Sequence, residues 1–339
     1  MNILLTSAGR RSYMVDFFKA ALNGNGLVHA SNSVFSPALA AADRWVVTPL
    51  IYDATYITFL QDYCAKNLIN AIVPLFDIDL PVLAKARDEF SRNGVAIVVS
   101  DYEVTQICND KWKTYNFLTV HNIDTPKSFI DLKCTQEALE QGVLAFPLII
   151  KPRWGMGSKG VYTADNEKEL AILYAKLEKE IFTTYLSYES AQDRDHCIII
   201  QERLSGIEYG LDIVNDLTGE HAATFVHRKI AQWNGETDVA VAEDVPALTQ
   251  QGKKISLALR HRANLDVDCF LVEGTPYILE MNCRFGGIYP FSHLAGANVP
   301  SAIVSWLKDE IPDPIYLRIQ DKARGMKGIT VIRQKQTDG

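Results

Sequence analysis

The side chains with the most chemistry stand near the C-terminal end, in Asp268-Cys-Phe-Leu-Val-Glu-Gly-Thr-Pro-Tyr-Ile-Leu-Glu280-Met-Asn282-Cys-Arg284. Residues 267–272 and 277–281 read as two short apolar strands around the turn signal Gly274. With a loop of Glu273, Gly274 and Thr275, position 268 lies opposite position 280. Side chains alternate faces along a strand, so Asp268, Glu280 and Asn282 gather on one patch with Arg284 just beyond. Two carboxylates and an amide oxygen, without Cys or His, suit a hard cation, Mg²⁺ or Mn²⁺. Taken alone, the segment is read equally well as solvated surface carboxylates. Mg²⁺ usually binds through a few carboxylates plus substrate phosphates, so the patch requires a phosphate cradle elsewhere.

Lys151-Pro-Arg-Trp-Gly155-Met-Gly157-Ser158-Lys159-Gly160 meets that requirement. Its glycines let the backbone approach a ligand and turn N–H groups toward it, an anion-binding concavity. Lys151 closes the preceding strand and Lys159 lies within the loop, both placed to pair with phosphate oxygens. The loop joins two expected strands, so it is neither a Walker A motif nor a Rossmann turn, both of which lead into a helix. It reads as a lid over phosphates. A third stretch, Ile200-Gln201-Glu202-Arg203-Leu204-Ser205-Gly206-Ile207-Glu208, is strand, turn, strand. For a nucleotide, the Leu204 backbone could meet the adenine edge and Glu208 the ribose hydroxyls; a solvated edge residue is the plainer reading of Glu208.

These motifs need elements to carry them. The first hundred residues alternate strands (2–6, 27–30, 45–47, 71–74, 95–99) with helices (12–22, 57–66, 80–90), the rhythm of a parallel sheet covered by helices. Beyond position 100 the pattern is α+β with antiparallel hairpins. One helix is expected over 103–122, another over 248–264, and strands over 197–202, 209–214 and 222–226. Residues 311–339 lose periodicity, and their extreme end is expected to be mobile. A chain of 339 residues divides into two or three domains. A net charge of −7 argues against a general nucleic-acid binder, though a local basic pocket for an anion remains open. Six scattered cysteines without a Cys-x-x-Cys pair, no signal peptide and no run of 18 apolar residues point to a cytoplasmic chain without a membrane span.

The three motifs, in this order, resemble the ATP-grasp superfamily of carboxylate–amine or carboxylate–thiol ligases. The closest likeness is to short-form proteins similar to the carbamoyl-phosphate synthase large subunit, over roughly residues 1 to 305. The resemblance implies an N-terminal parallel α/β (pre-ATP-grasp) domain at 1–103, followed by a two-part ATP-grasp domain. Its small subdomain with the lid would span 104–194, and its C-terminal subdomain with the metal site 195–310. Residues 311–339 would form a tail. It assigns Lys111, of Asn109-Asp110-Lys111, and Lys151 to phosphate, with Gly155, Gly157, Ser158, Lys159 and Gly160 as the lid. Leu204 would contact adenine through its backbone, and Glu208 the ribose. Gln201 stands where many members carry an adenine-contacting Glu, with Glu202 beside it in the nucleotide set. Asp268, Glu280 and Asn282 become the Mg²⁺ triad, and Arg284 and Lys151 the catalytic cations near the transferred phosphoryl group.

The resemblance further likens 74–80, with Asp77 and Asp79, to a loop of this branch, and places residues 291–295 at the substrate end of the cleft. His227-Arg228-Lys229 and Asn234-Gly-Glu-Thr237 face the cleft or form a solvated cluster. Arg10 and Arg11, in the first βα turn, could meet an anionic substrate, since helix N-termini favour anions. That turn, Ser7-Ala-Gly-Arg-Arg, lacks the glycine spacing of a nicotinamide dehydrogenase. The implied reaction joins a small-molecule carboxylate to an amine through an acyl phosphate, with ATP and Mg²⁺, without nucleic acid or membrane. A homodimer is the default assembly. Bicarbonate or carbamate activation, and an ATP-binding regulatory protein without turnover, are the alternatives.

Overall fold

In a computed structural model describing residues 1–233, 235–329 and 331–332, three sheets follow one another along the chain. The first is parallel, with β1 (Asn2–Thr6), β2 (Val28–Asn32), β3 (Arg44–Val47), β4 (Ile69–Pro74) and β5 (Ala96–Ile97) in the order β3-β2-β1-β4-β5. Helices cover both faces because alternate β1 side chains point opposite ways. Ile3 and Leu5 pack with Met14, Val15 and Phe18 of the helix Ser12–Leu22, while Leu4 packs with Leu60, Leu83 and Phe90. The order reverses between β1 and β4, the switch point at which open parallel sheets form a crevice outside the carboxyl ends of their strands. Asp79 braces it, accepting from Thr6 Oγ1 (2.6 Å), Ser7 Oγ (3.0 Å) and Tyr56 Oη (2.8 Å).

The second sheet is small and antiparallel: β6 (Ser128–Phe129), β7 (Leu148–Pro152), β8 (Tyr162–Ala164) and β9 (Ile198–Glu202), ordered β6-β9-β7-β8. The third holds β10 (Ile207–Asn215), β11 (His221–Trp233), β12 (Glu236–Ala242), β13 (Ala263–Val272), β14 (Thr275–Asn282) and β15 (Arg324–Met326), ordered β14-β13-β10-β11-β12-β15. The cores divide unevenly. Leu211, Val267 and Met281 of the third sheet share one core with the first sheet, and Phe225, Phe285 and Tyr289 share another. The second sheet keeps a core of its own around Leu148, Ile150, Leu177 and Ile200. First and third sheets therefore form one frame, and the second packs largely on itself.

Several expectations are corrected. The helix expected over 103–122 is two, Tyr102–Asn109 and Lys111–Val120, broken at Asp110. Asp110 has extended backbone and caps the second helix, accepting from Trp112 N at 2.9 Å and Lys113 N at 3.3 Å. The helix expected over 248–264 is Pro246–Leu259; Arg260 turns left-handed and β13 begins at Ala263. The strand expected over 95–99 is only Ala96–Ile97, and that over 222–226 runs on to Trp233. In the tail, Arg324–Met326 pairs with β12, so backbone pairing orders a stretch that side-chain periodicity did not mark. Asn234 and residues 333–339, with the tail's expected mobility, lie outside the described residues.

Asp110 also holds Arg153 through a bidentate pair, Nε to Oδ1 at 2.7 Å and Nη2 to Oδ2 at 2.8 Å, and both side chains are buried. Asp110→Ala removes the cap and half of that pair, although Asp193 stays 2.8 Å from Arg153 Nη1. Urea denaturation should show a loss of about 3–5 kcal/mol. A loss within about 0.5 kcal/mol of zero, the range of ordinary surface changes, would contradict this role.

Candidate active site

The β13–β14 hairpin brings Asp268 opposite Glu280 and Asp266 opposite Asn282, by a route other than the expected one. Its loop has two residues, Glu273 and Gly274, both at positive φ, because Val272 pairs with Thr275. A loop one residue shorter would turn Glu280 to the wrong face. A bulge at Leu279, the residue without a partner between Asp268 and Cys269, restores the register. Asp266 was missed because the strand was expected to start at 267; the alternation Asp266-Val267-Asp268 was the available signal.

The same face continues onto β10, where Gly210 lies opposite Asp268 and Asp212 opposite Asp266. Lys229 reaches across it from β11, its Nζ 2.6 Å from Asp268 Oδ1 and 2.8 Å from Glu208 Oε1. Burial works against this ammonium, but Asp268 and Glu208 overcome it and hold its pKa above the ordinary lysine value. Glu208 also accepts from Gln232 Nε2 at 2.5 Å. Among the described residues no three His, Cys, Asp or Glu converge on one metal position. The candidate set supplies two carboxylates and the Asn282 amide, an all-oxygen donor set suited to Mg²⁺. Lysine ammonium groups already lie against both carboxylates, evidence that the patch draws cations.

Lys111 and Lys151 form the opposing wall. Lys111 donates to the Gly155 carbonyl at 2.5 Å and stands 3.6 Å from Glu280 Oε1. Its position follows from the Asp110 break, which sets Lys111 at the first turn of a helix. Lys151, on β7, is buried, and burial together with Lys111 pushes its pKa down to about 8. In the glycine loop, Gly155, Gly157 and Gly160 all have positive φ. A Cβ would stand 2.8 Å from Leu186 at Gly155 and 2.8 Å from Leu177 at Gly160; at Gly157 there is open space, and only the backbone angle requires glycine. Ser158 shares that left-handed conformation, and Gly235 of the β11–β12 turn leaves no room for a Cβ against it. Lys159 is directed elsewhere, with Nζ 5.2 Å from the Tyr185 ring centre.

On the expected base-binding side, Gln201 is buried and donates to Ser128 Oγ at 2.7 Å, while Glu202 Oε1 accepts from Lys127 N at 2.8 Å. Leu204 follows β9 in the irregular turn before β10, as the strand-turn-strand reading required.

Arg284 departs most from its expected role. It is buried, with Nε and Nη2 on Asp77 Oδ2 at 3.1 and 3.0 Å, and Nη1 on Asp266 Oδ2 at 2.9 Å and on the Phe285 carbonyl at 3.3 Å. Arg11 lies close by, donating to the Leu75 carbonyl, with its pKa lowered by burial and by Arg284. Burial and Asp266 push the Asp212 carboxyl up to about 7 while it accepts from Ser292 Oγ (2.5 Å) and Asn264 Nδ2 (2.8 Å). Residues 291–295 do more packing than expected: Phe291 packs with Ala240 and Ile288, and the His293 ring stacks on Phe17 at 3.6 Å.

Residues 3–98 match the PylC-like N-terminal domain, and residues 108–288, more than half of the chain, match the ATP-grasp domain. The carbamoyl phosphate synthase large chain of Sulfolobus acidocaldarius is 20% identical over 304 residues, covering 86% of this chain and 27% of that protein. The chain thus spans about a quarter of that relative's length. The L-amino acid ligase of Bacillus licheniformis superposes with a TM-score of 0.71 at 21% identity, over 91% of this chain and 75% of that one. The biotin carboxylase domain of Hydrogenobacter thermophilus 2-oxoglutarate carboxylase, solved with MgADP, ADP and bicarbonate, superposes with a TM-score of 0.72 at 15% identity, over 94% and 71%. These likenesses carry the fold, and the domain match over residues 108–288 carries the family: the chain belongs to the ATP-grasp family.

Proposed function

We propose that this protein is an ATP-dependent, Mg²⁺-dependent ligase that joins a small-molecule carboxylate to an amine through an acyl phosphate. The observation that carries the reading is the position of Lys111, which touches the glycine loop at Gly155 and lies beside Glu280 of the acidic hairpin. One ammonium thus stands where an anion cradle meets a cation patch, the arrangement a metal–triphosphate needs. Lys111, Lys151 and the backbone of Gly155, Gly157, Ser158 and Gly160 hold the phosphates, joined by Lys159 once it leaves the Tyr185 ring. Gln201, Glu202 and Leu204 border the base, and Glu208 takes the ribose after exchanging its contact with Lys229.

Asp268, Glu280 and Asn282 would hold Mg²⁺, which neutralises phosphate charge during transfer. The remaining work falls to the chain. Phosphoryl transfer needs positioning and charge compensation rather than a protein nucleophile, and Lys111 and Lys151 supply fixed positive charge on one side of the cleft. The substrate carboxylate attacks the γ-phosphoryl group, ADP leaves, and the amine displaces phosphate from the acyl carbon. Arg284, held by Asp77 and Asp266, uses four of its five N–H donors internally, leaving one for the substrate carboxylate or the acyl phosphate. The glycine loop excludes water from an intermediate that hydrolyses when wet. The independent core of the second sheet lets it close without disturbing the frame.

Incubation with ATP, Mg²⁺ and pools of carboxylates and amines should release ADP and give a product whose mass is the two substrates less water; ADP release with bicarbonate alone would favour carboxylate activation of another kind. Glu280→Gln should lower ADP release by about 100-fold or more with an unchanged circular dichroism spectrum, since even outer partners of a metal cost about 10–100-fold. Wild-type turnover in this variant would remove the hairpin from the metal site. A pH dependence follows from Lys151. Its charge is present below about pH 8 and lost above it, so affinity for MgATP should fall as pH rises through that value. Calorimetric titration from about pH 7 to about pH 10 should show the decline in wild type and a flatter profile in Lys151→Met.

A further inference from the structure

Beside the phosphate cradle, a cavity of about 270 Å³ lies between the helices Asp79–Arg92 and Tyr102–Asn109 and the residues around Glu189. Four aromatic side chains line it: Tyr52, Tyr102, Trp154 and Tyr188. Tyr52 and Tyr188 stack on each other at 4.7 Å. The volume is below the roughly 300–1,000 Å³ of pockets for drug-sized ligands, so the occupant is a small metabolite.

Two opposite charges line the same space. Glu189 is 6% exposed, accepts from Asn109 Nδ2, and forms no salt bridge among the described residues. A buried carboxylate without a cation is costly, and a neutral amide could have kept the bond to Asn109 without that cost. Burial pushes its pKa up to about 7, with the Asn109 bond and the more distant Lys111 charge working against the shift. Lys85 is exposed at the rim, its Nζ 4.6 Å from the Tyr102 ring centre, and it too forms no salt bridge among the described residues. Aromatic faces attract an ammonium group, most strongly where it is desolvated. A single lysine facing a buried carboxylate makes a poor phosphate site.

We propose that this cavity binds a free amino acid as its zwitterion, with the ammonium group toward Glu189 and the carboxylate toward Lys85. The occupant would touch the helices beside the first sheet through Lys85 and Tyr102, and the segments flanking the second sheet through Trp154 and Glu189. Trp154 immediately precedes Gly155, and Asn109 is two residues from Lys111, so the ligand lies at the root of the phosphate cradle. The binding does not depend on the ligase reading, because it is measured without nucleotide.

Calorimetric titration of the full chain with L-amino acids and with ω-amino acids of increasing length tests it. At least one should bind, and its N-acetyl and methyl-ester derivatives should each bind at least about tenfold more weakly. Glu189→Gln and Lys85→Met should each weaken that binding by about tenfold or more, with MgATP affinity unchanged. Lys85 is exposed, so Lys85→Met keeps the test decisive should the Glu189 variant fold poorly. Absence of binding by every amino acid overturns the proposal, as does equal binding of the blocked derivatives or wild-type affinity in Lys85→Met.

Discussion

The buried guanidinium of Arg284 is the tie on which the rest of the site depends. It joins Asp77, 207 residues away at the crevice of the parallel sheet, to Asp266 on β13. Such a charge is tolerable inside a protein only when its partners are placed well, and removing one partner of a buried pair costs about 3–5 kcal/mol. The tie therefore holds the first and third sheets in a single relation, within the two cores that they share. Gly286 belongs to the same constraint: a Cβ there would collide with the Asp266 carboxylate. Once Asp266 is held, the two-residue alternation of β13 fixes the face of Asp268, and the Leu279 bulge brings Glu280 and Asn282 to it.

The second sheet stands in contrast to this frame. Its own core makes it a unit, and it meets the frame through Arg153 on Asp110, through Lys111 between Gly155 and Glu280, and through Ser158 against Gly235. A rigid frame with cation-drawing carboxylates and a separately packed unit with the anion cradle suit a cleft that closes on a nucleotide. The ammonium contacts on Asp268, Glu208 and Glu280 show how the protein satisfies those carboxylates by itself: lysines compensate charge that would otherwise stay unpaired.

Much of this was legible from residue order. The parallel first sheet followed from the βαβα rhythm, the glycine loop from its spacing, and the hairpin from Gly274 between apolar runs. The two-residue loop and the Leu279 bulge were not legible, and they offset each other, so Asp268 and Glu280 face each other for a reason other than the one expected. The break at Asp110 escaped because a helical pattern continues on both sides, while the capping aspartate is held from a distance by Arg153. Asp266, Asp77 and Lys229 were undervalued because their partners lie far along the chain, at Arg284, Asp268 and Glu208.

By itself, then, the sequence determined what local rules can carry: the alternation that puts carboxylates on one face, the glycines that free a loop, and the residue types that suit a phosphate or a hard cation. Only the tertiary structure decided which charges meet. Arg284 became a tie between two units with one donor left over, Lys111 came to stand between the loop and the hairpin, and Glu189 came to line an aromatic cavity without a salt bridge among the described residues. The physical reason is that burial and long-range approach set the cost of each charge, and neither is a property of neighbours in the chain.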